Sequence, residues 1–321
     1  MRDAIVEWLS TRPVGTEPAP VNHQVAAVLA ATAHALAEAG IESAEAEARW
    51  LLEAASGWPP LVIRLEPERQ LDVASSERLA AMLARRLRRE PLQRIVGAAP
   101  FFGLQLRALA GVLIPRPETE RLVELALASI RGLMTPRVHD LGCGSGAIAI
   151  AIKVERPDAQ VSASDIDPAA LRATRSNAAD AAVELQLFEA DLLQGSEVQG
   201  VLSGCDLLVS NPPYLPTSDR GSLPLEVRSE PEHALLAGED GLDVARRLLQ
   251  QVAELPRKSA APLTIWLELD PRNAPVLAAE LEAEARWFDV RLEADLSGRW
   301  RFLHARCVAT APSESATLPP S

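Results

Sequence analysis

Strands and helices alternate through the second half of this 321-residue chain, and a stretch rich in Ala, Leu, Glu and Arg precedes them. Two strand-like segments with only a loop between them close the pattern. Together these observations predict an α/β protein, a doubly wound Rossmann-like sheet with a small N-terminal helical domain in front of it.

The length is that of two domains, with ample material for a core. A formal charge of -12 argues against a generic nucleic-acid binder, though not against local basic patches. Cys143, Cys205 and Cys307 are widely spaced and match no zinc pattern, so a reduced cytoplasmic setting is the simplest one. Histidines are few and scattered, and no metal site is expected. Asp3, Glu7 and Glu17 with nearby prolines make the first residues unlike a secretory signal. No run approaches the apolar length of a membrane span, and a monomer is expected.

In chain order, residues 1–20 read as a flexible extension with one short amphipathic turn, Ile5-Val6-Trp8-Leu9. Residues 21–90 carry helical periodicity such as Val25-Val28-Leu29-Ala33-Leu36, with Gly40 at a helix end. Further helices are predicted from Ser43 to Ala55 and from Ser75 to Arg89, separated by Trp58-Pro59-Pro60. The run Arg85-Arg86-Arg88-Arg89 reads as a solvated helix face or as a contact for an acidic or RNA partner. Over 91–114, Phe101–Leu106 and Gly111–Ile114 read as two short strands of a hairpin linker. Pro115-Arg116-Pro117-Glu118, running into a helix to Leu133, is either a domain joint or the wall of a pocket. The α/β domain follows, over 115–308. Its strands are predicted at Val138–Leu141, Val161–Asp165, Leu185–Glu189, Leu207–Ser210, Leu263–Glu268, Phe288–Leu292 and Arg301–Arg306. Helices fill the gaps from Ala147 to Glu155, Pro168 to Ala181, Gly241 to Glu254 and Pro275 to Glu284. The final strand pair points to an antiparallel hairpin at one sheet edge, and residues 309–321 read as a disordered tail.

Two stretches carry chemistry. Asn211-Pro212-Pro213-Tyr214 closes a buried strand, and its prolines make the exit stiff and extended. The Asn211 side chain and the Pro212 carbonyl offer two acceptors to one NH2 group, while Tyr214 can lie against the flat face of that group. This is a clamp for a planar amide or exocyclic amine. The other stretch is Asp140-Leu141-Gly142-Cys143-Gly144-Ser145-Gly146, where glycines let a ligand lie on the main chain at a helix N-terminus. It lacks the spacing of a pyrophosphate cradle. Asp165, ending the second strand, is placed for a ribose diol, Asp167 for capping the next helix, and Asp191-Leu192 for an adenine. A nucleoside site without phosphate suits S-adenosylmethionine. The clamp follows the fourth strand, beside the first across the topological switch point, so clamp and glycine loop should face one crevice. Methyl transfer to a planar nitrogen is the chemistry this predicts.

The chain resembles the bacterial protein-glutamine N5-methyltransferases that modify peptide chain release factors. The resemblance spans about Val21 to Val308 and is carried by Pro91-Leu92-Gln93-Arg94-Ile95-Val96-Gly97 and by Leu113-Ile114-Pro115-Arg116-Pro117-Glu118-Thr119-Glu120. The glycine loop, the Asn211 tetrapeptide, Val227-Arg228-Ser229-Glu230-Pro231 and Ala237-Gly238-Glu239-Asp240-Gly241-Leu242 add to it. It implies a class I methyltransferase domain, a helical domain that helps bind the release factor, and a substrate loop containing Pro115, Arg116, Pro117, Glu118, Arg228 and Glu230. It also implies that Gly142–Gly146, Asp165 and Asn211 touch cofactor or substrate, and that Asn211–Tyr214 hold the glutamine of a Gly-Gly-Gln loop. Ribosome-related RNA is approached only indirectly. Two positions depart from the family: Leu192 stands where an aromatic is common, and Glu268-Leu269-Asp270-Pro271-Arg272 lacks the usual glycine.

No strong base is evident, and orientation of the amide nitrogen is expected to supply much of the catalysis. One rival reading is an adenine- or cytosine-amino methyltransferase, which needs the same clamp. Another is a non-catalytic relative that binds release factor or ribosome.

Overall fold

A computed structural model describes residues 23–308. The predicted N-terminal extension, 1–20, and C-terminal tail, 309–321, lie outside that range. Two compact units are present, one running to Ala98 together with Pro224–Ser229, the other comprising Ala99–Leu223 and the chain from Glu230.

The first unit packs helices α1 (Val25–Glu38), α2 (Ala44–Ser56), α3 (Pro60–Leu65), α4 (Val73–Leu87) and α5 (Leu92–Val96) around Val28, Leu36, Leu51, Leu52, Leu79 and Leu83. Gly40 follows α1 with φ +74, the left-handed conformation that ends helices cheaply at glycine. Helix α4 begins two residues earlier than its periodicity suggests because Asp72 caps it, accepting from the Ser75 amide at 2.7 Å. The arginine run at its end is not a solvated face. Arg86 is 5% exposed; its guanidinium donates to Glu47 of α2 (Nη2 to Oε1, 3.2 Å) and to Glu226 (Nη1 to Oε1, 3.0 Å). Arg89 also pairs with Glu226, Arg85 pairs with Glu90, and only Arg88 is exposed. A guanidinium with little water must find carboxylates, and the unit supplies them internally.

The second unit is built on a seven-stranded sheet. Its strands are β3 (Arg137–Leu141), β4 (Gln160–Asp165), β5 (Gln186–Glu189), β6 (Leu207–Ser210), β7 (Leu263–Glu268), β8 (Trp287–Ala294) and β9 (Trp300–Cys307), in the order β5-β4-β3-β6-β7-β9-β8. The first five run parallel, and β9 inserts antiparallel between β7 and the edge strand β8. Helices α6 (Glu118–Ser129), α7 (Ala147–Glu155) and α8 (Pro168–Asp180) cover one face; α9 (Ser196–Leu202), α10 (Asp243–Glu254) and α11 (Ala274–Glu282) cover the other. Strands buried on both faces read as near-continuous apolar runs, which is why Leu207-Leu208-Val209 and Leu263–Leu267 stood out in the sequence. The short helix α9 was not foreseen. One polar trio interrupts the sheet: His139 lies between the Ser162 and Ser164 hydroxyls at 2.8 and 2.9 Å, and burial pushes its pKa down to about 3.

The linker differs from its prediction. Strands β1 (Ala98–Phe101) and β2 (Leu104–Arg107) pair across a two-residue turn in which Phe102 and Gly103 both have positive φ, so the single strand expected over Phe101–Leu106 folds back on itself. Gly111–Ile114 forms no strand. It is irregular chain that buries Val112 and Ile114 while passing along the cavity described next.

Candidate active site

Four loops leave the carboxyl ends of β3, β4, β5 and β6, where an open parallel sheet binds its ligands. They converge on a cavity of about 330 Å3 lined by Gly142, Gly144, Asp165, Asp191, Leu192 and Asn211, with Pro212 and Pro213 beside them. That volume lies at the lower end of small-molecule sites, which run from about 300 to 1,000 Å3. A larger, more open depression of about 630 Å3 lies against Arg137, Gln160 and Gln186 at the opposite strand ends and gathers none of these residues.

The glycine loop divides into residues that line the cavity and residues that hold the loop. Gly142 and Gly144 have φ of +70 and +55, and open space stands where a Cβ would project, so a ligand can approach the main chain there. Asp140, Cys143, Ser145 and Gly146 are absent from the lining. Asp140 is fully buried and accepts from the Ala149 amide at 3.1 Å, tying the loop to the first turn of α7. Burial, opposed by that amide, pushes its carboxyl up to about 7, and its Oδ1 has no partner. The Cys143 thiol meets Thr174 Oγ1 at 3.3 Å and is raised by burial; the Ser145 carbonyl accepts from Asn177 Nδ2 at 2.9 Å. These groups are scaffolding for the two glycines that line the cavity.

Asp165 ends β4 with its carboxylate accepting from the Gly144 amide (Oδ2, 2.9 Å) and the Asp167 amide (Oδ1, 2.9 Å). Burial raises its pKa, and the two amides oppose the rise. Asp167 caps α8 through the Ala169 amide at 2.7 Å. Asp191 pairs with Arg247 of α10 at 2.8 Å, a partner that no motif announces. Leu192 adopts φ +55 and is 8% exposed, presenting an aliphatic face to the cavity.

In the clamp, Asn211 Nδ2 donates to Thr119 Oγ1 of α6 at 3.1 Å, which leaves Oδ1 as the acceptor end of the amide. Tyr214 does not line the cavity; burial first, and then the Glu268 charge, raise its phenol well above the ordinary range. Its backbone is fixed from outside. The Tyr214 carbonyl accepts from Asn273 Nδ2 at 3.1 Å, and Gly241, with φ +78, passes so close that a Cβ would stand 2.3 Å from that oxygen. Asn273 directly follows Glu268–Arg272, the segment that lacks the family's glycine. Here Asp270 accepts from the Arg272 amide and guanidinium, and Arg272 also pairs with Asp219.

Of the residues expected to form a substrate loop, Arg116 pairs with the buried Glu230 at 2.7 Å. Pro115, Pro117 and Glu118 stand outside the cavity lining, and Pro117 ends the loop where α6 begins. Arg228 lies in a short 3-10 turn, Val227–Ser229, that belongs to the helical unit. Among the described residues no cluster of three His, Cys, Asp or Glu side chains is placed to hold a metal, and no helix is long and apolar enough to cross a membrane. Sequence reading missed Arg247, and missed Gly111 and Val112 as cavity wall. It quoted Thr119 within a motif without assigning it a role.

Two family models match the chain: the PrmC N-terminal domain over residues 27–97 and the methyltransferase small domain over residues 120–223. The release factor glutamine methyltransferase of Deinococcus radiodurans is 44% identical over 272 residues, covering 84% of this chain and 94% of that protein. The release factor glutamine methyltransferase of Burkholderia pseudomallei is 38% identical over 257 residues, covering 78% and 88%. Among solved structures, the hMettl16 catalytic domain in complex with a MAT2A 3'UTR hairpin matches with a TM-score of 0.50 at 16% identity, over 74% of this chain and 84% of that one, a likeness of fold alone. The architecture is the class I, Rossmann-like methyltransferase fold, with a mixed sheet and a helical N-terminal region.

Proposed function

The chain belongs to the release factor glutamine methyltransferase family, and from that membership we propose that it methylates the side-chain amide nitrogen, N5, of the glutamine in the Gly-Gly-Gln loop of peptide chain release factors. The methyl donor is S-adenosylmethionine, and the setting is cytoplasmic. The observation that carries the reading is that Asn211, whose amide has Oδ1 as its acceptor end, shares one cavity with Gly142, Gly144, Asp165 and Asp191.

The residues fit the donor. Gly142 and Gly144 leave the main chain open to it, Asp165 retains lone pairs for a ribose diol, and Asp191 with Leu192 offers an edge and a face to adenine. Bound there, S-adenosylmethionine supplies an electrophilic methyl group on a sulfonium.

A glutamine amide nitrogen is a poor nucleophile because its lone pair is shared with the carbonyl. Asn211 Oδ1 and the Pro212 carbonyl accept its two N–H bonds, which draws electron density onto nitrogen and fixes its approach. Gain of the methyl group leaves the nitrogen cationic with two acidic N–H bonds, and one of these protons passes to water by way of a clamp acceptor, so no strong base is required. The helical unit contributes to recognition of the folded partner, through surfaces other than the buried Arg86.

The direct test supplies a release factor and labelled S-adenosylmethionine, with a Gln→Ala variant of the Gly-Gly-Gln loop as control. One methyl group on that glutamine, found by peptide mass spectrometry, is the expected result. Label in the control protein, or in added RNA alone, would overturn the assignment.

The cofactor half of the site has its own test. Asp165→Ala is expected to weaken S-adenosylmethionine binding by about 1.5–3 kcal/mol, the usual worth of a hydrogen bond to a charged group. Unchanged affinity by calorimetry would leave Asp165 only its bonds to the Gly144 and Asp167 amides.

A further inference from the structure

We propose that Thr119 and Glu268 are positioning residues for this reaction: Glu268 sets which way the Thr119 hydroxyl donates, and Thr119 thereby sets which end of the Asn211 amide faces the substrate. The inference rests on reading Asn211 as the clamp.

The two ends of an asparagine amide are nearly the same size and differ in what they offer, one accepting and the other donating. Turned the wrong way, Asn211 would present N–H bonds to the N–H bonds of a substrate amide. Shape alone cannot prevent that, so a partner must. Thr119 is 4% exposed, and its Oγ1 accepts from Asn211 Nδ2 at 3.1 Å. A hydroxyl, however, can donate as well as accept. If its proton pointed at Asn211, the amide would turn over and the clamp would be reversed.

Glu268 decides where that proton goes. It ends β7 and is 0% exposed, and neither carboxylate oxygen has a fully formed hydrogen bond. The Thr119 hydroxyl is the first of the influences that favour its charged form. An ionised carboxylate can only accept, so it takes the hydroxyl proton and leaves the Thr119 lone pairs for Asn211. Protonated, Glu268 becomes a donor to Thr119 and releases the hydroxyl proton to compete for Asn211 Oδ1.

The charged groups facing Glu268 come from three elements besides its own. Arg301 of β9 and Arg116 before α6 favour the carboxylate, Glu118 of α6 opposes it, and the Tyr214 phenol lies within its field. Burial is the largest influence, and the carboxyl is pushed up to about 7. The orienting form is the deprotonated one, so turnover should rise with pH through that region and fall below it.

The test uses the full chain with saturating S-adenosylmethionine and varied release factor. Thr119→Val keeps the shape and removes the hydroxyl; it should lower kcat by about 10–100-fold, the scale of a misoriented reacting group, while KM and cofactor affinity stay near wild type. Thr119→Ser should restore most of kcat, and Glu268→Gln should flatten the pH dependence of kcat around 7. A reading without turnover comes from the Asn211 side-chain NH2 resonances, identified by their loss in Asn211→Ala. They should move with pH near 7 in the wild type, stay fixed in Glu268→Gln, and shift in Thr119→Val. Normal kcat in Thr119→Val, no recovery in Thr119→Ser, or an unaltered pH limb in Glu268→Gln would each overturn the proposal. If Asn211→Ala were itself fully active, the clamp reading would fail; an inactive Asn211→Ala beside a normal Thr119→Val would sink only the inference made here.

Discussion

Asn211→Ala is expected to lower kcat for methyl transfer to a release factor by about 100–1,000-fold, the loss typical of removing one preorganised polar group that acts in the transition state. Cofactor binding should survive, because Gly142, Gly144, Asp165 and Asp191 line the same cavity from other loops. The fold should survive too. Ser210 still anchors the end of β6 through the Leu141 carbonyl at 2.6 Å, and Asn273 still holds the far side of the tetrapeptide. Asn211→Asp separates orientation from charge: it keeps acceptors but adds a negative group, so it should bind the cationic donor and turn over slowly. Steady-state kinetics with release factor in excess, paired with calorimetry of the donor, makes the comparison. Full turnover by Asn211→Ala would remove the clamp from the mechanism.

Arg86→Ala should destabilise the helical unit by about 3–5 kcal/mol, because it leaves the poorly hydrated Glu47 carboxylate without its ion-pair partner and Glu226 with Arg89 alone. Glu47 and Glu226 are 12% and 22% exposed at their side chains, and both lean on the same guanidinium. Arg88→Ala, at the exposed member of the run, should change stability by no more than about 0.5 kcal/mol. Urea unfolding of the two variants gives the contrast. Equal midpoints would return the whole run to the surface, and a higher KM for release factor in Arg86→Ala without loss of stability would make it a recognition residue after all.

These two residues also mark how far the sequence could be read. The sheet was legible because its strands are short apolar runs closed by Asp, Asn or Gly, and because the clamp follows a strand that pairs with β3. The site was legible wherever a residue's role depends on its neighbours in the chain, as for the glycine loop and for Asp167 at the start of α8. It was not legible where the partner is remote. Arg86 meets Glu226 across 140 positions and Asn211 meets Thr119 across 92, and neither spacing leaves a periodic trace. Gly111–Ile114 failed for another reason: the short apolar run Val112-Leu113-Ile114 signals burial, and a cavity wall provides that as well as a strand does.

The contact of Gly241 and Asn273 with the Tyr214 carbonyl has a consequence for how the clamp meets its partner. Ordering a free backbone costs about 1–2 kcal/mol per residue at the moment of binding. Here Pro212 and Pro213 restrict the chain from within, Asn273 holds its far end, and Gly241 admits that end to a space no side chain could share. The tetrapeptide therefore gives up its freedom once, during folding, and under the proposed function a glutamine entering the cavity would meet acceptors already standing in place. The flexible member of the encounter is left to be the substrate's own loop, and the entropy lost in docking is mostly the substrate's.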